Sequence, residues 1–199
     1  QTLFLLTLLK VNILNGQIIY DGNITEAYWG MPLGTSSGGP SSCMGPATNI
    51  NALYAVADDN RLHFGIAGSV IANNKILVFI DCKSGGYEKT DFGRSNAPLC
   101  INNFNNNIKF DPGFTPDYCL IIGTNQSSDD FLFYLYTLSG TVENGGGTLE
   151  YIGSTNAANP GSRNGYDFAA NPNYYDFTRG FEISIPKITL QYNPIRDQQ

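Results

Sequence analysis

The chain has 199 residues, of which 42% are hydrophobic and only 14% are charged, and its formal net charge is −6. Its 11 lysines and arginines are scattered singly, whereas nucleic acids and anionic membrane surfaces are bound through clustered basic side chains. We therefore expect no nucleic-acid or membrane-lipid partner, which leaves neutral polar ligands, cations and other proteins as candidates.

Residues 1–16 are predicted to be a secretory signal peptide. The apolar run at 2–9 is shorter than the roughly 20 residues that a membrane-spanning helix needs, and the small residue Gly16 precedes the expected cleavage point. The alternative is an N-terminal β-strand, added to the sheet or donated to a neighbour. The signal-peptide interpretation makes the mature chain secreted or displayed on the outer cell surface, without membrane insertion.

The mature chain is predicted to consist of short strands. The second and third strands flank a turn at 58–60, which predicts a β-hairpin. The run 75–81 is almost continuously apolar, which predicts a central strand covered on both faces. The strands are predicted at 18–20, 49–56, 62–66, 75–81, 118–123, 131–138, 149–152 and 181–186.

No segment shows a helical period with helix caps. Strands without helices indicate an all-β fold, and we predict a two-sheet antiparallel β-sandwich, jelly-roll-like, over residues 17–188. The remaining residues, 189–199, are predicted to be a linker or the start of a further segment.

Two predicted loops, 83–117 and 153–180, are much longer than ordinary connections, and long loops are frequently functional. Both are rich in aromatic residues, whose flat rings can stack on the apolar faces of sugars. The alternative is that the rings anchor the loops to the sandwich. The candidate ligand-binding residues are Tyr87, Phe92, Tyr166, Tyr174 and Tyr175.

Four cysteines, an even number in a chain predicted to be exported, favour two disulfides. We favour Cys82–Cys119, because each residue lies at one end of the same long loop, and this leaves Cys43–Cys100. The other two pairings stay open. Zinc is disfavoured, because the chain has no CxxC pair and a single histidine, His63.

Calcium is the metal that the oxygen-rich loops could hold, since it takes six to eight oxygen ligands. The candidate ligands lie at the end of one strand, in the loop that follows and before the next strand: Asp81, Asp91, Asp111 and Asp117. Asp58, Asp59 and Asn60 form a second oxygen-rich set, but such residues are usual in a turn without a metal.

Near the C-terminus, Tyr192-Asn193-Pro194 followed by Asp197 resembles the opening of the C-terminal sorting domain of type IX secretion substrates of Bacteroidetes. The alternative is an ordinary strand that a proline ends.

Four segments in order resemble carbohydrate-binding module family 9-like domains, which belong with the DOMON-type β-sandwiches. They are Ile18–Gly30, which has an Asp-Gly turn, an acidic residue and a tryptophan, the hairpin 57–64, the strand 78–81 and the strand 180–186. The resemblance implies a sandwich that often binds sugars and often holds a structural calcium ion. The family's tryptophan pocket cannot be carried over, because Trp29 is the only tryptophan.

Nothing in the sequence predicts catalysis. His63 has no GxSxG motif near it, and Gly145-Gly146-Gly147 does not follow a strand and open a helix as a phosphate-binding loop would. We expect a non-catalytic binding domain whose ligand is a carbohydrate or a cell-surface polymer. The alternatives are a structural or adhesive surface protein that self-associates, and an accessory domain of a glycoside-active enzyme.

Overall fold

Ten antiparallel strands in two sheets make up the part of the chain that the computed structural model describes. This arrangement confirms the predicted all-β sandwich. One short 3-10 helix, Ala27–Trp29, precedes the strands. The described residues are 18–36, 48–71, 74–88, 108–124, 130–138, 147–156, 160–173 and 176–191.

The larger sheet has six strands in the order β1-β2-β3-β10-β9-β8. Its hairpin β2–β3 confirms the predicted one, and a β-bulge interrupts the β2–β3 register between Ile50 and Ala52. The strands of this sheet are β1 (Gly34–Thr35), β2 (Asn49–Ala57), β3 (Arg61–Ser69), β8 (Gly161–Arg163), β9 (Tyr166–Ala170) and β10 (Gly180–Pro186).

The smaller sheet is a four-stranded meander in the order β4-β5-β6-β7. Consecutive strands along the chain are neighbours in the sheet, as antiparallel pairs joined directly usually are. Its strands are β4 (Lys75–Ile80), β5 (Tyr118–Thr124), β6 (Phe131–Thr137) and β7 (Thr148–Thr155).

The core lies between the two sheets, because successive side chains of a strand point to opposite faces. In the larger sheet Phe64, Ile183 and Phe168 are neighbours in register, and all three are buried. Phe133 of the smaller sheet contacts the rings of Phe168 and Phe181, with centroids 5.3 and 6.5 Å apart. These aromatic contacts hold the two sheets together.

Two glycines make room for the ring of Phe168. A Cβ atom at Gly153 or at Gly161 would lie 2.2 Å from that ring, far inside van der Waals contact. Gly161 pairs with Phe168 across β8 and β9, and Gly153 lies in β7. Glycine at both positions therefore allows β7 of the smaller sheet and β8 of the larger sheet to pack closely against the Phe168 ring.

The predicted loop 153–180 was wrong, because it contains β8 and β9. The segment that forms them is rich in glycine and polar residues, and only the alternation of Tyr166 and Phe168 indicates a strand. At the C-terminal boundary Leu190 is buried in the core, although we had placed it in the linker 189–199.

Strand β4 lies at the edge of the smaller sheet among the described strands, so its predicted central position was wrong. Its apolar composition has another cause. Phe79, on its outer side, packs edge-to-face on Phe110 with ring centroids 4.7 Å apart. The loop after β4 therefore covers one face of this edge strand, while the core covers the other.

The predicted signal peptide 1–16 and the sorting-domain resemblance at 192–197 lie outside the described residues. Among those that are described, no helix has the length and apolar character needed to cross a membrane.

We expect Phe181→Ala to lower the free energy of unfolding by about 3–5 kcal/mol, because it removes a fully buried ring from the contact between the sheets. Urea unfolding measures the change. The control is Ile188→Ala, at a position that is 87% exposed, which should stay within about 0.5 kcal/mol of wild type. Equal losses in the two variants would contradict this assignment of the core.

Candidate functional site

The outer face of the six-stranded sheet is covered by the segment 18–30. Ile18, Ile24 and Trp29 of this segment are buried against the sheet. The sheet offers them small residues, and a Cβ atom at Gly65 would lie 3.0 Å from Cγ2 of Ile24 and 3.3 Å from the Trp29 ring. Small side chains on this face therefore let the covering segment lie close to the sheet.

Backbone hydrogen bonds join the segment to β10 and to the residues just before it. Ile24 N–H donates to the Thr178 carbonyl at 2.6 Å, and Gly180 N–H donates to the Gly22 carbonyl at 3.0 Å. Gly22 has φ of +79°, and a Cβ atom there would lie 2.4 Å from the backbone nitrogen of Asn171. The Asp-Gly turn noted in the sequence therefore requires its glycine.

Three carboxylates meet beneath this turn. One oxygen each from Asp21, Glu26 and Glu182 lies within 4.8 Å of the others. Asp21 is exposed, Glu26 is half-buried and Glu182 is fully buried. We call these three residues the acidic triad. It runs from solvent to the surface of the sheet, and two of its members come from the covering segment.

Glu182 has one satisfied and one unsatisfied carboxylate oxygen. Its Oε2 accepts hydrogen bonds from the backbone N–H groups of Asp21 at 2.8 Å and of Gly22 at 2.6 Å. Its Oε1 is buried and has no hydrogen-bond partner among the described residues. Burial raises the pKa of Glu182 to about 8, and the carboxylates of Glu26 and Asp21 contribute in the same direction, against the two N–H donors.

Glu26 ties the triad to the only tryptophan of the chain. Its Oε2 accepts a hydrogen bond from Nε1 of Trp29 at 3.1 Å, and its Oε1 accepts one from the backbone N–H of Ile19 at 3.0 Å. A change at the carboxylate of Glu26 therefore alters the hydrogen bond of the Trp29 indole.

Two of the predicted calcium ligands, Asp81 and Asp117, have backbone partners. Asp117 is buried and accepts hydrogen bonds from the backbone N–H groups of Cys82 at 3.0 Å and Lys83 at 2.8 Å. Asp81 accepts one from the backbone N–H of Thr115 at 3.0 Å, and Asp111 is exposed. These three do not form a cluster of ligand oxygens, whereas the acidic triad does, within the described ranges. Asp91 lies outside those ranges.

The three residues of the acidic triad each have a recognisable feature in the sequence, but no local pattern connects them. Asp21 and Glu26 lie in the segment that carries the family resemblance. Glu182 lies on the second face of an alternating strand whose first face holds Phe181 and Ile183. A carboxylate on the second face of an interior strand indicates a polar partner above that face, and only the fold identifies the partner.

The predicted ligand-binding aromatics divide into three groups. Tyr166 is not a loop residue but part of β9, and it is buried in the core with its hydroxyl donating to Oε2 of Glu150 at 2.7 Å. Its predicted ligand-binding role was therefore wrong. Tyr87 is half-buried against the outer face of the smaller sheet. Phe92, Tyr174 and Tyr175 lie outside the described residues.

The anchoring alternative is confirmed for two rings of the first loop, since Phe110 and Phe114 are both buried. Their ring centroids lie 5.6 Å apart in an edge-to-face contact. These rings hold the loop after β4 against the sandwich.

Aromatic side chains that the sequence analysis did not select lie on the outer face of the four-stranded sheet. One row in register crosses all four strands: Leu77, Ile121, Tyr134 and Tyr151. The rings of Tyr134 and Tyr151 have centroids 5.2 Å apart, and the guanidinium carbon of Arg163 lies 5.1 Å from the Tyr151 ring centroid. We call Tyr134, Tyr151 and Arg163 the tyrosine platform. Both tyrosines are partly exposed.

Cys82 and Cys119 are buried free thiols, so the favoured Cys82–Cys119 disulfide is not formed. The sheet separates them, because Cys82 belongs to the core between the sheets and Cys119 to the cluster on the outer face. Burial raises the pKa of the Cys82 thiol to about 12 and that of Cys119 well above its ordinary value. Cys43 and Cys100 lie outside the described residues.

Both ring nitrogens of His63 are already engaged. With Nε2–H donating to Asp58 Oδ2 at 3.0 Å, Nδ1 accepts from the hydroxyl of Tyr20 at 2.5 Å. The ring is buried on the outer face of β3, with the edge of Tyr28 against it. The single histidine therefore joins the covering segment to the β2–β3 turn and has no nitrogen left to activate a nucleophile.

No family model, curated protein or solved structure matches the chain. The resemblance to family 9-like domains stays a prediction, and function has to be inferred from the residues themselves.

Buried thiols react slowly, because the thiolate is the reactive form and needs access to solvent. We expect Cys82 and Cys119 to resist iodoacetamide in the folded chain and to be alkylated in denaturant without any reductant. Peptide mass spectrometry of the two samples measures this. Recovery of a peptide pair joined through Cys82 and Cys119 would contradict the structure.

We expect His63 to make stability depend on pH. Burial lowers its pKa below 6.5, although the Asp58 carboxylate opposes that shift. The unfolded state therefore binds the proton more readily, so the contribution of His63 is complete above pH 6.5 and is lost as pH falls through the lower folded-state pKa.

The measurement is the difference in unfolding free energy between wild type and His63→Gln as a function of pH. Since other titrating groups are present in both proteins, the difference isolates His63. It should shrink as the solution is acidified below pH 6.5. A difference that stays constant or grows on acidification would contradict the assignment.

Proposed function

We propose that the chain is a non-catalytic binding domain that acts outside the cytoplasm, secreted or at the outer cell surface, and that its ligand is a carbohydrate. The observation that supports this most is the tyrosine platform. Partly exposed rings beside a guanidinium group are a combination that suits sugars, because rings stack on C–H faces while polar groups bind hydroxyls.

The two tyrosines of the platform lie on β6 and β7, at one side of the smaller sheet. Tyr134 and Tyr151 continue a row of apolar residues that crosses the smaller sheet from β4 to β7. Tyr87, the loop residue selected from the sequence, packs against the same face. Ile121 of this row is buried, so a sugar would meet the two tyrosines, which a rigid sheet holds in place and which therefore bind at a lower entropic cost.

A catalytic role has little support among the described residues. His63 is buried with both ring nitrogens engaged. Glycoside hydrolysis needs two carboxyl groups roughly 5–9.5 Å apart that both reach the substrate, and Glu182 of the acidic triad is covered by the segment above it. These features favour binding over turnover, including the case in which the domain is the accessory part of a glycoside-active enzyme.

A second candidate is self-association as a structural or adhesive surface protein. Met31 is 87% exposed and Leu33 is 38% exposed, and both precede β1, a two-residue strand at the edge of the larger sheet. Exposed apolar residues beside a sheet edge favour pairing with a second chain.

We expect Tyr134→Ala and Tyr151→Ala each to weaken carbohydrate binding about tenfold, which is the effect of losing one ring contact of roughly 1–1.5 kcal/mol. Pull-down on insoluble polysaccharides, followed by calorimetry with a soluble oligosaccharide of the retained polymer, measures the effect. The matched control is Phe177→Ala, which removes an aromatic ring that is 47% exposed and lies outside the platform.

The proposal fails if wild type binds nothing in a broad glycan panel, or if the tyrosine variants bind as well as Phe177→Ala. Oligomers in size-exclusion chromatography together with an empty glycan panel would favour the self-associating alternative.

A further inference from the structure

We propose that Asp21, Glu26 and Glu182 bind a divalent cation, with Ca²⁺ as the preferred ion, and that this cation fastens residues 18–30 to the outer face of the six-stranded sheet. The inference is independent of the carbohydrate proposal, because it concerns the opposite face of the sandwich.

The unsatisfied oxygen of Glu182 is the observation that points to a ligand. Buried polar atoms are almost always hydrogen-bonded, and a carboxylate oxygen without a partner is costly. Oε1 of Glu182 is such an atom, on a side chain with 0% exposure. Its partner oxygen Oε2 already accepts two N–H groups, so the protein satisfies half of this carboxylate and leaves the other half without a donor.

Among the described residues, no basic side chain forms an ion pair with the acidic triad. The salt bridge Arg61–Asp167 and the hydrogen-bonded pair His63–Asp58 both lie outside the triad. The hydrogen bonds that the triad accepts come from backbone N–H groups and from the Trp29 indole. When all three are ionised, carboxylates at this spacing repel one another, and a bound cation would replace that repulsion by attraction.

The spacing suits calcium. Metal–oxygen distances of about 2.3–2.6 Å place oxygens on opposite sides of a calcium ion about 4.6–5.2 Å apart, and neighbouring oxygens closer. The triad oxygens lie within 4.8 Å of one another, so one ion can contact all three. Mg²⁺ requires shorter distances in a strict octahedron and is usually held by one or two carboxylates, so the triad favours the larger ion.

An ion at this position would join the covering segment 18–30 to the six-stranded sheet, and we call this connection the clasp. Asp21 and Glu26 belong to the covering segment, whereas Glu182 belongs to β10 in the interior of the sheet. A cation bound by all three carboxylates would connect residues that lie far apart in the sequence. Gly22, next to Asp21, and Glu182 are 160 positions apart. Without it, a deprotonated Glu182 would bury an uncompensated charge beneath the segment.

The test begins with the purified chain after treatment with EDTA and removal of the chelator. CaCl₂ is added while calorimetry records binding and the fluorescence of Trp29, the only tryptophan, records the local environment. We expect one ion per chain, a saturable fluorescence change and a rise in Tm on the order of 5–10 °C at a hundredfold excess over Kd. MgCl₂ should bind more weakly.

Two variants and a control separate ligand loss from misfolding. Glu182→Gln keeps the side-chain shape and an acceptor for Asp21 and Gly22, and it should fold in EDTA at least as stably as wild type while losing about tenfold or more in calcium affinity. Asp21→Asn, at the exposed end of the triad, should lose affinity similarly. Asp59→Asn removes an exposed carboxylate elsewhere and should bind calcium as wild type does.

Hydrogen exchange gives a readout of the clasp itself. Calcium should slow exchange of the amide protons of Asp21 and Gly22 in wild type and leave it unchanged in Glu182→Gln. The proposal is overturned if wild type binds no calcium at millimolar concentration, or if the folded Glu182→Gln and Asp21→Asn variants respond to calcium as strongly as Asp59→Asn.

Discussion

A buried carboxylate at the centre of a sheet organises one side of this protein. Glu182 stands on the outer face of β10, in register with Gly65 on one side and Ala169 on the other. Since its neighbours in the sheet are small, the hydrogen bonds it accepts from the described residues come from above, from the turn at Asp21 and Gly22. Removing a carboxylate from water costs several kcal/mol unless partners compensate, so the covering segment and Glu182 depend on each other.

The outer faces of the two sheets are used differently, and side-chain size explains the difference. On the larger sheet, Gly65, Ala67 and Ala169 form a flat surface that a backbone segment can approach closely enough to hydrogen-bond with the neighbouring strand ends. On the smaller sheet, the loop after β4 covers the β4 side by packing Phe110 on Phe79, whereas the rings of Tyr134 and Tyr151 on the other side stay partly open to solvent. The chain therefore covers the outer face of the larger sheet with residues 18–30, but it leaves the β6–β7 side of the smaller sheet partly accessible.

Much of the fold could be predicted, because the strands with strong apolar character are recognisable locally. The β2–β3 hairpin follows from two alternating segments around an Asp-Asp-Asn turn, and β10 from the alternation of Phe181, Ile183 and Ile185. Strands β8 and β9 could not be recognised in the same way. Gly161 is a poor strand former, and it is glycine because a larger residue would collide with the ring of Phe168. The candidate sites were predicted poorly, because the sequence does not show whether an aromatic or acidic residue is exposed for a ligand or buried to hold a loop in place.

The sequence by itself determined the all-β class, the two-sheet arrangement and the Asp-Gly turn near the start of the described chain, because alternation and turn chemistry act over a few residues. Only the tertiary structure decided which residues with similar chemistry meet. It separated Cys82 from Cys119 by placing them on opposite faces of one sheet. It committed Asp81 and Asp117 to backbone donors, and it brought Asp21 and Glu26 to Glu182 from the far end of the chain. Such contacts depend on sheet order and register, which join residues far apart in sequence and leave no local pattern by which they could be recognised.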